Sequence, residues 1–200
     1  MTAIERCAVV ELRRYTLHPG ARETLIELFE RELVAPQEDA GMHVLAQFRD
    51  LAEPDHFVWL RGFQDLASRG PALRAFYGGP VWEHHSAAAN ATMLDSDDVL
   101  LLRPVAVAGP PVAGPLTVVA YPVEEGAEAD VAAAVAERGG ARAILVTEPG
   151  PNDFPALPVR EDGSYVVTLA AGEGTAAEVP HLRAAAHVAR LVPTERSRPV

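Results

Sequence analysis

Lysine is absent from the 200 residues; all seventeen basic side chains are arginines. Schiff-base chemistry is thereby excluded, because it needs a lysine amine. With 28 acids against 17 bases the formal net charge is −11. The chain therefore lacks the basic surplus that nucleic acids and anionic membrane surfaces attract. Cys7 is the one cysteine, which leaves no intrachain disulfide and no cysteine-rich zinc site. No apolar run approaches the ~18 residues that span a bilayer. The opening residues, MTAIERCAVVELRRYTL, carry charges every few positions, unlike a secretory leader. These absences point to a cytoplasmic protein that handles small molecules, with no metal centre and no bound cofactor expected.

What is present is an apolar chain, 48% hydrophobic, with enough material for a sizeable core. Abundant alanine beside lysine-free arginine usage reads as a GC-rich coding bias. Cys7–Leu17 alternates and is rich in β-formers, so it is expected to be a strand. Residues 20–35 place Leu25, Leu28, Phe29 and Leu33 at helical spacing, with Pro36 as an interruption. Strands are expected at 42–50 and 56–63, and helix at 64–93, broken at Gly78-Gly79-Pro80. A further strand follows at 98–105.

The order β-α-β-β-α-β is ferredoxin-like. A Pro/Gly/Ala linker, AVAGPPVAGP at 106–115, then separates residues 1–105 from residues 116–200, where the order begins again. In this second copy strands are expected at 116–123, 141–149, 163–172 and 187–193, with helices at 126–140 and 175–186. A ferredoxin-like unit covers one sheet face with helices and leaves the other bare. The expected fold is therefore α+β: tandem ferredoxin-like repeats that close into an intramolecular dimeric α/β-barrel, bare faces inward.

Each first-half strand carries one apolar set and one mixed set. Val10 and Leu12 oppose Glu11, Arg13 and Tyr15; Val58 and Leu60 oppose Trp59 and Arg61. Met42, Val44, Ala46 and Phe48 oppose His43, Gln47 and Arg49. The expectation is that apolar sets meet the helices and mixed sets line the barrel. Glu11, Arg13, Gln47, Arg49, Trp59 and Arg61 would then bind substrate, the surplus of arginine suiting a carboxylate, phenolate or enolate oxygen. A purely structural Glu11–Arg13–Arg61 network is the competing reading. Tyr15, His43, His84 and His85 are the candidate proton carriers, because histidine titrates near neutrality. Adjacent histidines on a helix point about 100° apart, so His84 and His85 are unsuited to one metal. The second half offers Tyr121 and Tyr165 as its polar handles and reads as a closing wall.

Three segments carry a family resemblance: VVELRRYTLHPG, GMHVLAQFRDLAEPDHFVWLRGF and FYGGPVWEHHSAAANATMLDSDDVLLLRP. Over about residues 8–105 the chain resembles the NIPSNAP family. LVTEPGPNDFPALPVRE and LVPTERS are similar to the second half of two-copy bacterial members, with 171–186 shortened. The resemblance implies the dimeric α/β-barrel superfamily. Its barrels include cofactor-free monooxygenases acting on polyphenols, lactone isomerases, polyketide cyclases, haem-degrading enzymes and haem dehydratases, and fold does not choose among them. The expected function is a small-molecule-binding barrel of secondary metabolism. It would be a cofactor-independent monooxygenase, cyclase or isomerase acting on a phenolic, polyketide-like or other oxyanionic metabolite. The alternatives are a non-catalytic binding module and haem binding through one histidine. The tandem copy removes the need for a homodimer without forbidding one.

Overall fold

The computed structural model describes residues 2–200. Eight strands close into one barrel: β1 (Val9–Leu17), β2 (His43–Asp50), β3 (His56–Phe63), β4 (Met93–Val107), β5 (Leu116–Val123), β6 (Ala141–Thr147), β7 (Ser164–Ala171) and β8 (His187–Pro193). Around the barrel the order is β1-β3-β2-β8-β5-β7-β6-β4, and every pairing is antiparallel. The two halves join at β2–β8 and β4–β6. No sheet edge remains open, which removes the template for pairing with another chain.

Helices lie outside. The predicted helix at 20–35 is α1 (Arg22–Leu28), a π-helical turn over Phe29–Leu33, and α2 (Val34–Asp39). Pro36 is the third residue of α2, directly after the π-helical turn. α3 (Leu66–Tyr77) starts on a capping box in which the Asp65 side chain accepts from Ser68 N–H. α4 (Pro80–Asn90) follows with proline in its first turn. In the second half α5 (Glu128–Arg138) stands alone. Residues 175–186, expected to be helical, run as irregular chain. β4 extends to Val107, into the stretch expected to be linker. No helix among the described residues is long and apolar enough to cross a membrane.

The orientation of the strand faces corrects the sequence reading. The barrel interior is filled by the apolar sets, Val10, Leu12, Val58, Leu60, Leu100 and Leu102 from the first half. Leu116, Val118, Leu145, Val167, Leu169, Ala189 and Leu191 come from the second. Small eight-stranded barrels fill their interior with side chains in this way. The mixed sets face outward, under the helices: Tyr15, Phe57, Trp59 and Phe63 pack with Leu25, Phe29, Leu33, Leu73 and Phe76. A register shift in β2 between Val44 and Ala46 moves Met42 and Val44 to the helix side while Ala46 and Phe48 stay inside. One end of the barrel is plugged by Ile4, Val107, Val112 and Val200. There the C-terminal residue pairs with Val112 through two backbone hydrogen bonds. The other end is open.

Candidate functional site

Two polar assemblies flank the barrel wall. The first is the network that the mixed faces create beneath the helices. Glu11 (β1) is fully buried and receives three arginines: Arg13 at 2.7 Å, Arg61 (β3) at 2.7 Å and Arg69 (α3) at 2.8 Å. Arg13 Nε also donates to Tyr15 Oη at 3.0 Å, and Arg61 donates to Gln37 Oε1 at 3.1 Å and to Tyr77 Oη at 3.3 Å. Burial pushes the Glu11 carboxyl up, but Arg61, Arg13 and Arg69 override it and hold it far below the usual carboxylate range. Arg69 reaches on to Asn152 and Asp153 in the β6–β7 connection, so the network ties the two halves together. Trp59 Nε1 is buried without a hydrogen-bond partner among the described residues. The void that Trp59 lines with Tyr15, Gln37, Tyr77 and Trp82 is only about 20 Å³, room for one water rather than a ligand.

The remaining predicted site residues disperse. His43 is exposed at the start of β2. Gln47 is buried under the C-terminal segment, its N–H donating to Ser197 Oγ and its carbonyl accepting from Thr194 N–H. Arg49 pairs at the surface with Glu23 at 2.6 Å and Glu195 at 3.0 Å. His84 and His85 stand edge to face on α4 with ring centres 4.6 Å apart, and His85 lies 3.7 Å from Glu32. None of Glu11, Arg13, Tyr15, His43, Gln47, Arg49, Trp59, Arg61, His84 or His85 lines the chamber in the barrel. The reason is geometric: Glu11, Arg13, Tyr15, Gln47, Arg49, Trp59 and Arg61 point away from the axis, His43 lies beyond the β2 register shift at the plugged end, and α4 packs on the barrel's outside.

That chamber is the second assembly. It occupies about 250 Å³ at the open end, just below the ~300–1,000 Å³ usual for drug-sized ligands. Leu12, Val58, Leu100, Val118, Ala189 and Leu191 make an apolar floor and wall. Arg14, Asp98, Arg160, Tyr165 and His187 make a polar rim. The rim follows from alternation carried one step past the core. Val10–Leu12–Arg14, Leu102–Leu100–Asp98, Leu169–Val167–Tyr165 and Leu191–Ala189–His187 each run from barrel interior to mouth on one strand face. This signal was available in the sequence; the charged residues of the opposite face outweighed it. Arg160 has no such signal, because it comes from the irregular 148–163 connection.

Arg14 pairs with Asp98, and its Nη1 lies 2.6 Å from His187 Nε2. A guanidinium only donates, and Arg14 Nη1 also lies 3.3 Å from His187 Nδ1, so a ring nitrogen facing it accepts and the ring is neutral. Burial, then the Arg14 charge, pushes the His187 pKa down, which agrees. Arg160 binds Asp162 at 2.7 Å and Asp98 at 3.4 Å, and Arg183 lies 3.7 Å from Asp162. Hydrogen bonds from Arg160 hold the Asp162 carboxyl well below the usual range. Tyr165 Oη donates to Asp162 at 2.8 Å; burial, then that hydrogen bond, pushes its pKa up, so the phenol keeps its proton. Among the residues that line the chamber, Arg14 and Arg160 against Asp98 leave one positive charge in excess. An apolar chamber with a neutral imidazole and surplus arginine at its rim is suited to deprotonating an acidic ligand and holding the resulting anion.

No curated protein matches the chain. Among solved structures, it is similar over 96% of its length to a candidate monooxygenase from Lactobacillus acidophilus NCFM, 98% of which is covered, at 13% identity and TM-score 0.56. An anthrone oxidase-like protein aligns over 98% of this chain and 95% of its own, at 12% identity and TM-score 0.58. These two likenesses show the fold, a dimeric α/β-barrel closed within one chain. An uncharacterized NIPSNAP-like domain protein from Burkholderia xenovorans aligns over 51% of the chain and 89% of its own, at 24% identity and TM-score 0.46. Residues 10–108 match the NIPSNAP family, and through this N-terminal half the chain belongs to it.

Proposed function

We propose that the chamber binds a small phenolic or enolic metabolite and acts on it without a bound cofactor, as a monooxygenase, cyclase or isomerase. The observation that carries this reading is the Arg14–His187 contact at the top of an apolar chamber. The ligand's ring system would occupy the space between Leu12, Val58, Val118 and Leu191, where burial of apolar surface supplies affinity. Its acidic O–H would meet the rim. The proton passes to the His187 ring nitrogen facing Arg14, and the oxygen left negative accepts the Arg14 Nη1 donor that this nitrogen had been using. The anion then lies between guanidinium and imidazolium, which offsets their repulsion. A resonance-stabilised anion of this kind is the common intermediate for oxygenation, ring closure and double-bond migration. The likeness to a candidate monooxygenase and an anthrone oxidase-like protein supports the substrate class.

The test is titration of 1-naphthol into the protein, with naphtholate absorbance reporting deprotonation. Wild type is expected to bind and ionise the probe below its solution pKa. Arg14→Met should weaken binding about 10- to 100-fold, the worth of one charged hydrogen bond. His187→Gln should retain binding and lose the naphtholate signal. Binding and ionisation unchanged in both variants would overturn the assignment. Binding that depends on Arg14 with no ionisation in any variant would indicate a capture module without catalysis.

A further inference from the structure

A second hollow, of about 260 Å³, lies against the chamber under the 148–163 connection. Leu100, Arg160 and Tyr165 line both spaces, so these three side chains are the partition between them. The strand ladder explains why a partition is needed. β4 pairs with β6 only as far as Leu102–Thr147, and β6 with β7 as far as Val146–Val166. Toward the mouth the wall between β4 and β7 is closed by irregular chain: Glu148 N–H donates to Leu101 O at 2.9 Å, and Arg160 N–H to Val99 O at 2.8 Å. The connection is also held from below. Arg69 binds Asn152 and Asp153, and Gly70 N–H donates to Asp153 Oδ2 at 2.7 Å, an approach that a Cβ at Gly70 would block.

The three members of the partition differ in freedom. Leu100 and Tyr165 stand on paired strands and are buried. Arg160 is a long side chain, one-third exposed, lying over the Tyr165 ring at 4.7 Å. Its guanidinium makes a two-point pair with Asp162, reaches Asp98, and donates to Tyr165 Oη. Its anchors are polar contacts of a head group that is one-third exposed, so the side chain can be displaced by breaking them, whereas the strands cannot.

We infer that Arg160 sets the length of ligand the barrel accepts, and that chamber and hollow are two compartments of one elongated site. The substrate class narrows accordingly: an aromatic phenol or enol whose ring body fills the chamber and whose hydroxyl-bearing arm passes Arg160 into the outer space. Thr147, Glu148, Asn152, Glu161 and Ser164 line that outer space and supply acceptors for an arm's hydroxyl groups. The inference rests on the chamber being the ligand site.

Two probes separate the two claims: 1-naphthol, which the chamber holds alone, and a naphthol with a diethylene glycol arm on the ring carbon opposite the hydroxyl. Wild type, Arg160→Ala, Arg160→Met and Asp162→Asn are titrated with each. 1-Naphthol should bind Arg160→Ala and Arg160→Met alike, both weakened by the loss of one rim charge, so each armed-probe affinity is read as a ratio to that of 1-naphthol in the same protein. That ratio should be about tenfold higher in Arg160→Ala than in wild type, since no ion pairs need be broken. In Arg160→Met, which also lacks the ion pairs but keeps most of the bulk, the ratio should fall between wild type and Arg160→Ala, as it should in Asp162→Asn. A ratio unchanged in Arg160→Ala, with 1-naphthol bound, would overturn the partition and leave the chamber assignment standing. Failure of 1-naphthol to bind wild type would overturn both.

Discussion

Glu11→Gln is the substitution that separates a structural network from a ligand site under the helices. Gln keeps the shape and removes the charge, leaving Arg13 and Arg61 buried with no carboxylate and Arg69 with Asp153 alone. A charge pair about 4 Å apart at an effective dielectric of about 20 is worth about 4 kcal/mol. Three such pairs are partly cancelled by repulsion among the arginines and by the cost of burial. Breaking a buried pair from one side typically costs about 3–5 kcal/mol, and a carboxylate with three partners belongs at the upper end. Domains have about 5–15 kcal/mol in total. A loss of about 5 kcal/mol should lower the Tm by roughly 10–20 °C for a chain of this size. Thermal unfolding followed by near-ultraviolet circular dichroism measures this, with Arg49→Ala as the surface control. Arg49 pairs with half- to well-exposed Glu23 and Glu195, so its loss should cost under about 1 kcal/mol. Because the folded pKa of Glu11 is depressed, its contribution is present above the unfolded value of about 4.3 and persists until pH falls well below the carboxylate range. A Glu11→Gln protein within about 1 kcal/mol of wild type would refute the reasoning, since the arginines would then have to be compensated by something other than Glu11.

His187 carries a depressed pKa in the folded state, so the unfolded chain binds more protons in the window just below about 6.5. Its contribution to stability should be complete above that pH and be lost as pH falls through the folded value; urea midpoints between pH 5 and 8 should show a slope that flattens in His187→Gln. Burial pushes the Cys7 thiol up to about 11, and the side chain is 3% exposed beside the plugged end. Native protein at pH 8 should react with a thiol-specific disulfide reagent at least about 100-fold more slowly than urea-unfolded protein; comparable rates would place Cys7 in solvent.

Strand and helix positions were largely legible because each follows from short-range pattern. The runs at 56–63, 116–123 and 187–193 have the same bounds in sequence and structure. The helix break at Gly78-Gly79-Pro80 is likewise local chemistry. Residues 175–186, expected to be helical, form no helix. The site was not legible to the same degree. Arg13, Trp59 and Arg61 share a face with Glu11, which identified the network correctly but not the side of the wall it occupies. Burial of arginine depended on Arg69, a helix residue 58 positions from Glu11.

Period-two alternation is a property of the chain alone, and it determined that every strand has two unlike faces and that two such sheets must share a core. It is silent on which face turns inward. That was decided by volume and charge pairing in three dimensions. The aliphatic faces interdigitate to fill a narrow barrel, while the aromatic and arginine face needs the larger area that α1 and α3 cover. The same closure brings Arg14, Asp98 and His187 to one rim from positions as much as 173 residues apart, a meeting that only the completed barrel produces.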